Sequence, residues 1–197
     1  VRDLGIVKSI NGGLTWSVIF NKDNFNANNS RFETSVSPAD PNTVFLSVYS
    51  SSDATVGVNT DFYVSRDKGA SFTSLATAGS AAAANLLTGQ GWYDNVIMAH
   101  PYNANVFYVG GVAVFKVTVS GSTFSSTSIA SGYDNTQINN NVHVDQHGLF
   151  SILGSNQEFR ILLANDGGVY STSMKQDPGT TQGDWSNAVG GKNSTQF

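Results

Sequence analysis

One eight-residue turn pattern occurs twice in this chain, and an internal repeat narrows the architecture before any single residue is read. Ser9-Ile10-Asn11-Gly12-Gly13-Leu14-Thr15-Trp16 and Ser65-Arg66-Asp67-Lys68-Gly69-Ala70-Ser71-Phe72 share the form Ser-x-Asp/Asn-x-Gly-x-Ser/Thr-aromatic. Each residue type has its own task in a hairpin turn. Asn11 and Asp67 are expected to accept hydrogen bonds from backbone N–H groups. Gly13 and Gly69 are expected to take backbone angles closed to other residues. The hydroxyls of Ser9, Thr15, Ser65 and Ser71 tie the loop, and Trp16 and Phe72 are expected to bury themselves beneath it.

Both copies follow β-rich runs, Gly5-Ile6-Val7-Lys8 and Phe62-Tyr63-Val64. The pattern along the chain predicts a strand–turn–strand unit over residues 5–20. A four-strand unit follows: Phe32 to Ser37, Thr43 to Tyr49, Asp61 to Ser65 and Ser71 to Leu75. A second has strands at Trp92 to Ala99, Val106 to Val109, Val112 to Val119 and Thr123 to Ile129. Its last turn is worn down to Ser120-Gly121-Ser122-Thr123-Phe124. A third has Val142 to Leu153, Arg160 to Ala164, Val169 to Ser173 and Asp184 to Val189, with a tight turn at Asn165-Asp166-Gly167-Gly168.

Equivalent positions recur about every 55–62 residues. Four short strands per repeat is a propeller-blade signature. The expected fold is therefore all-β: a partial β-propeller of four-stranded antiparallel blades. Residues 1–30 read as a half blade of outer strands plus the first turn. Residues 31–79, 80–132 and 133–190 read as blades, and 191–197 as the start of another. Closed propellers have roughly four to eight blades, so this stretch is expected to belong to one larger propeller.

The two turns resemble the Asp-box of sialidase-like (BNR-repeat) β-propellers, a group that includes sialidases, xyloglucan-degrading hydrolases and the sortilin ectodomain. Asn11 replaces the usual Asp, and Ser71 the usual Thr. Gly89-Gln90-Gly91-Trp92-Tyr93-Asp94, Tyr108-Val109-Gly110-Gly111, Val142-His143-Val144-Asp145-Gln146-His147 and Asn165-Asp166-Gly167-Gly168-Val169-Tyr170 resemble a set found in large secreted BNR-repeat proteins, many from Bacteroidetes. The resemblance implies a secreted or cell-surface protein. It specifies a fold, and a fold does not specify an activity.

Composition excludes several function classes. The net charge is −4 with no basic run, which argues against nucleic acid and anionic membranes as partners. No apolar stretch approaches about 18 residues, so no transmembrane helix is expected. There is no cysteine, hence no disulfide or thiolate metal site. Charged residues make up only 12% of the chain, and Asn, Ser and Thr fill about sixty positions, a balance that leans toward the extracellular space.

A few side chains can carry chemistry. His143, Asp145 and His147 stand at i, i+2 and i+4, which on a strand puts all three on one face. That face can be a structural polar cluster, a glycan contact or a divalent-metal site. Trp92, Tyr93 and Asp94 read as the start of an inner strand. They can form a sugar platform, with a ring stacked on a pyranose and the carboxylate taking hydroxyls, or they can pack between blades. Glycoside hydrolysis needs two carboxylates across a sugar bond, and Asp94 with Asp145 is the candidate catalytic pair. A sialidase site is disfavoured: such enzymes use an arginine triad, and of Arg2, Arg31, Arg66 and Arg160 three fall on expected outer strands or turn loops. Asn11, Asp67 and Asp166 read as turn residues.

The leading expectation is a non-catalytic, secreted or surface-exposed propeller module that binds glycan or extracellular protein, completed by the rest of the same polypeptide. The alternatives are a xyloglucanase-like glycoside hydrolase and a structural part of an extracellular assembly. No cofactor is expected.

Overall fold

A computed structural model describes residues 5–21, 30–50, 60–79, 85–133, 139 and 141–187. The expected strand at 191–197 and the end of the last expected strand lie outside the described residues. The described elements are all β apart from one 3-10 turn at Thr88–Gln90. They begin with a hairpin of β1 (Gly5–Lys8) and β2 (Ser17–Asn21). Three antiparallel four-stranded groups follow. The first holds β3 (Ser30–Val36), β4 (Val44–Ser50), β5 (Thr60–Ser65) and β6 (Thr73–Thr77). The second holds β7 (Val96–Ala99), β8 (Val106–Gly110), β9 (Val114–Ser120) and β10 (Thr123–Ala130). The third holds β11 (Gln146–Leu153), β12 (Phe159–Asn165), β13 (Gly168–Thr172) and β14 (Trp185–Asn187). Each group is a meander in which sequence neighbours pair. The arrangement is a partial β-propeller of four-stranded antiparallel blades.

The blades stack face to face, and the middle one is apolar on both sides. Phe45, Phe62 and Leu75 of the first blade pack on Phe107, Val117 and Phe124 of the second, with ring centroids 4.8 Å apart for Phe45–Phe107 and 5.5 Å for Phe62–Phe107. The next residue along β8, Tyr108, points the other way, as strand alternation requires. It joins Val96, Met98 and Ile129 against Phe159, Ile161, Leu163 and Trp185 of the third blade. This is why β8 reads as the unbroken buried run Val-Phe-Tyr-Val-Gly. The inner strands lie side by side, with β7 between β3 and β11. At the rim, β10 pairs in parallel with β6 through Thr123–Ala76 and Phe124–Thr77. That link joins two blades into one continuous sheet.

The two copies of the repeated turn use one hydrogen-bond scheme. In the first, Ser9 Oγ accepts from the N–H of Gly13 at 2.8 Å, and Asn11 Oδ1 accepts from the N–H of Thr15 at 2.9 Å. In the second, Ser65 Oγ accepts from the N–H of Gly69 at 2.8 Å, and Asp67 Oδ1 accepts from the N–H of Ser71 at 2.8 Å. Gly13 and Gly69 have φ of 91° and 81°, the left-handed region the pattern anticipates. The aromatic expectation fails in the first copy. Trp16 is 61% exposed, because its indole N–H turns back to the carbonyl of Gly13 at 3.0 Å instead of sinking under the loop. The corresponding Phe72 is half-buried against Phe20, at 5.3 Å.

The β13–β14 connection solves the same turn problem with a carboxylate from the other end, which the sequence pattern does not show. Asp184 accepts from Ser173 Oγ at 2.9 Å and from the N–H groups of Gly179 and Thr181 at 3.0 and 3.2 Å. Lys175 Nζ lies 2.6 Å from its Oδ1. Burial opposes the Asp184 charge, but the bonds from Lys175, Ser173 and Thr181 outweigh it and hold the carboxyl below its usual range.

Two expected strands begin four residues late. The expected strand from Trp92 starts only at Val96, because the N–H groups of Tyr93 and Asp94 both fold back to the carbonyl of Gln90, at 2.7 and 3.1 Å. The expected strand from Val142 starts only at Gln146. Asp145 has φ of 61°, which no extended strand accommodates.

Candidate functional site

These two corrections create the site. The segments ahead of β7 and β11 are shaped loops, and they meet at the same end of the inner strands, beside the β12–β13 turn. Gln146 anchors the second loop. Its N–H donates to the carbonyl of Gly111 at 2.9 Å, and its Nε2 donates to the carbonyl of His143 at 2.8 Å. Asn165 Nδ2 donates to the same His143 carbonyl at 2.9 Å. Glycines allow the close approach. A Cβ on Gly110 would lie 2.8 Å from the side chain of Gln146, and a Cβ on Gly167 would overlap the side chain of His143.

His143, Asp145 and His147 therefore do not share a strand face. The three side chains diverge, since strand alternation does not apply before Gln146. His143 is exposed and its Nδ1 faces the carbonyl of Val144 at 3.1 Å. Asp145 turns to Gln90, whose Nε2 donates to Oδ1 at 3.1 Å. His147 turns to Asp166, with Nε2 2.6 Å from Oδ1. Among the described residues no group of three or more His, Asp or Glu side chains converges to hold a metal ion.

What does converge is an aromatic platform. Trp92 is 55% exposed, and its ring lies 5.7 Å from that of Tyr93 at a tilt of 47°. Tyr93 is gripped from three sides. Its ring meets the His147 imidazole edge-on at 4.8 Å, its hydroxyl approaches the Asp166 carboxylate at 3.4 Å, and its carbonyl accepts from Arg31 Nη1. Arg31 in turn pairs with Glu33 at 2.9 Å. Asp166, which the sequence reads as a turn residue only, is thus also the partner of His147 and Tyr93. Arg31 belongs to no motif, and Gln90 lies in the Gly89–Asp94 run without a role of its own there; only the packing of β3 and the Thr88–Gln90 turn against this loop brings them in.

A cleft of about 310 Å³ is lined by Tyr133, Asn141, Val142, His143 and Tyr170 among others. Its lining includes Val142, His143 and Val144 of the loop that precedes β11.

Asp94 lies underneath and is not part of the exposed surface. It is fully buried, and neither carboxyl oxygen has a hydrogen-bond donor. Burial first, and the facing Asp145 charge second, push its pKa up to about 7. The two residues meet through Gln90, whose carbonyl accepts from the N–H of Asp94 and whose Nε2 donates to Asp145. A catalytic pair across a sugar bond would be separated by roughly 5–10 Å. Asp94 is sealed from solvent, so its carboxyl cannot face a glycosidic bond.

No family model matches the sequence. No curated protein matches it. Among solved structures, the GH74 enzyme of Niastella koreensis is similar over 79% of this chain and 22% of its own, at 19% identity and a TM-score of 0.46. An α-L-arabinofuranosidase of Fusarium graminearum, solved with an iminosugar inhibitor, is similar over 90% of this chain and 55% of its own, at 17% identity and a TM-score of 0.46. The chain thus spans less than two thirds of either structure.

Proposed function

We propose that this chain is a non-catalytic glycan-binding part of a secreted or cell-surface propeller of the Asp-box kind. The observation that carries the reading is the exposed Trp92 ring set beside a Tyr93 that is held from three sides. A sugar's apolar face stacks on such rings, and the surrounding polar groups take its hydroxyls. A rigid platform loses little entropy on binding. His147, Asp166 and Asp145 offer polar groups at the rim, and the cleft beside His143 gives a longer oligosaccharide somewhere to continue. With Asp145 and Asp166 at the rim and Arg31 already paired to Glu33, the surface suits neutral sugars over acidic ones.

The complete burial of Asp94 supports the non-catalytic side of this reading. The outer face of the third blade supports its completion by more of the same polypeptide. Phe150 and Ile152, two apart on β11, are 63% and 44% exposed there.

The test is calorimetric titration with neutral cello-, xylo- and arabino-oligosaccharides. Trp92→Ala is expected to weaken binding by about tenfold or more. Binding to none of these by the folded protein, or affinity unchanged in Trp92→Ala, overturns the reading. Release of reducing sugar would overturn its non-catalytic part.

A further inference from the structure

Beneath the platform the fold buries a carboxyl whose charge its surroundings answer only in part, with the pull of Arg31. Asp94 is completely inaccessible, and both of its oxygens lack donors. The half-buried Asp145 is held beside it by Gln90, whose carbonyl accepts from the N–H of Asp94 at 3.1 Å and whose Nε2 donates to Asp145 Oδ1 at 3.1 Å. The nearby charged groups have other partners: Arg31 pairs with Glu33, and Asp166 with His147. Gln90 gives Asp145 one neutral hydrogen bond, and only to Oδ1. A buried carboxylate without donors is costly, and a second one facing it raises the cost. Such a pair is at rest only when a cation or a shared proton sits between its oxygens.

We propose that Asp94 and Asp145 bind a calcium ion, which pins the loop ahead of β7 to the loop ahead of β11. Asp94 offers both oxygens from the buried side. Asp145, on the accessible side, adds its own and leaves room for water to complete the shell. Calcium accepts six to eight oxygen ligands in irregular geometry, whereas magnesium demands a near-ideal octahedron and gives up water reluctantly. The ion would lie below Trp92 and Tyr93, in the same turn as Asp94, and would stiffen the platform without touching a sugar. Asp145 also stands at the rim of the sugar platform, but calcium uptake is read without any sugar, so failure of this proposal and failure of the glycan reading are distinguishable.

The test is calorimetric calcium titration of the chelator-treated chain, with magnesium in parallel, alongside thermal melts. One saturable calcium site and a raised Tm are expected in the wild type. Asp94→Asn and Asp145→Asn should each weaken calcium uptake by about tenfold or more. Should Asp94→Asn fail to fold, Asp145→Asn at the accessible edge carries the comparison. Absence of calcium uptake up to about 10 mM, or uptake unchanged in the folded variants, overturns the proposal. So does an Asp94→Asn protein that is more stable than a calcium-indifferent wild type, which would assign the pair to a shared proton.

Discussion

His147 Nε2 and Asp166 Oδ1 lie 2.6 Å apart, and they join the first turn of β11 to the β12–β13 connection. The pair orients the imidazole that meets the Tyr93 ring edge-on. Both side chains are partly exposed, at 33% and 21%, so the coupling belongs with exposed pairs. A double-mutant cycle with His147→Ala and Asp166→Ala should give about 0.2–1 kcal/mol in urea denaturation. The effect on sugar binding should be larger than on stability, because each change frees Tyr93 on one side. Zero coupling in both measurements would remove the pair from the site.

The interface between the first two blades rests on Phe107, which is fully buried and contacts the rings of both Phe45 and Phe62. Phe107→Ala should cost about 3–5 kcal/mol, read as a lowered urea midpoint. A loss below about 1 kcal/mol would mean that the blades do not pack there in solution.

The strand pairing was legible in the sequence because propeller strands announce themselves locally. Phe107 and Tyr108 alternate faces within an apolar run, and Gly13 and Gly69 mark turns that only glycine enters comfortably. The site was legible in its residues and illegible in its geometry. Trp92, Tyr93, Asp94, Asp145 and His147 do come together, but through two loops that sequence periodicity reads as strand. The reasons are particular. The turn at Tyr93 and Asp94 is made by a backbone carbonyl at Gln90, and the break at Asp145 is a single positive φ on a residue other than glycine. The role of Arg31 depends on contact between β3 and a loop 62 residues away, which no local pattern encodes. The Asp184 turn escaped because its carboxylate follows the loop it closes, the reverse of the Asp67 order.

Asp67 ties its turn by accepting from the hydroxyl and N–H of Ser71 and the hydroxyl of Ser65, and these bonds lower its pKa to about 2. The folded value lies below the ordinary 3.8. The stabilisation is therefore complete above about pH 3.8 and is lost as pH falls through about 2. Asp67→Asn, which copies the residue found at Asn11, should flatten the stability curve in that acid window and lower stability at neutral pH, where the carboxylate's contribution is lost. Denaturation midpoints between about pH 2 and 4 check this; an unchanged acid slope in the variant would show that Asp67 is not the titrating group.

His100 gives the clearest pH signature at the interface of the second and third blades. Its Nδ1 accepts from the N–H of Tyr102 at 3.0 Å, and its ring lies near-parallel to Tyr108 at 6.0 Å and edge-on to Phe159 at 4.7 Å. Burial, assisted by the Lys116 charge and opposed by Asp177, lowers its pKa from 6.5 to about 4. The unfolded chain takes up a proton first. Stability is therefore full above about pH 6.5 and declines as pH falls through about 4. A fall of order 3 kcal/mol follows from that window. Asp94 titrates over part of the same range with the opposite sign, since its folded value is raised to about 7 and protonation favours its buried form. The measurement is thus a comparison in chelator between the wild type and His100→Asn, whose amide oxygen keeps an acceptor for Tyr102 without a titrating ring. The variant should start less stable at pH 7, having lost its contacts with Tyr108 and Phe159. The gap should then narrow as the medium is made acidic. A constant gap from about pH 7 to 4 would mean that the ring is solvated or protonated in the folded protein, and that the second and third blades do not close over it as described.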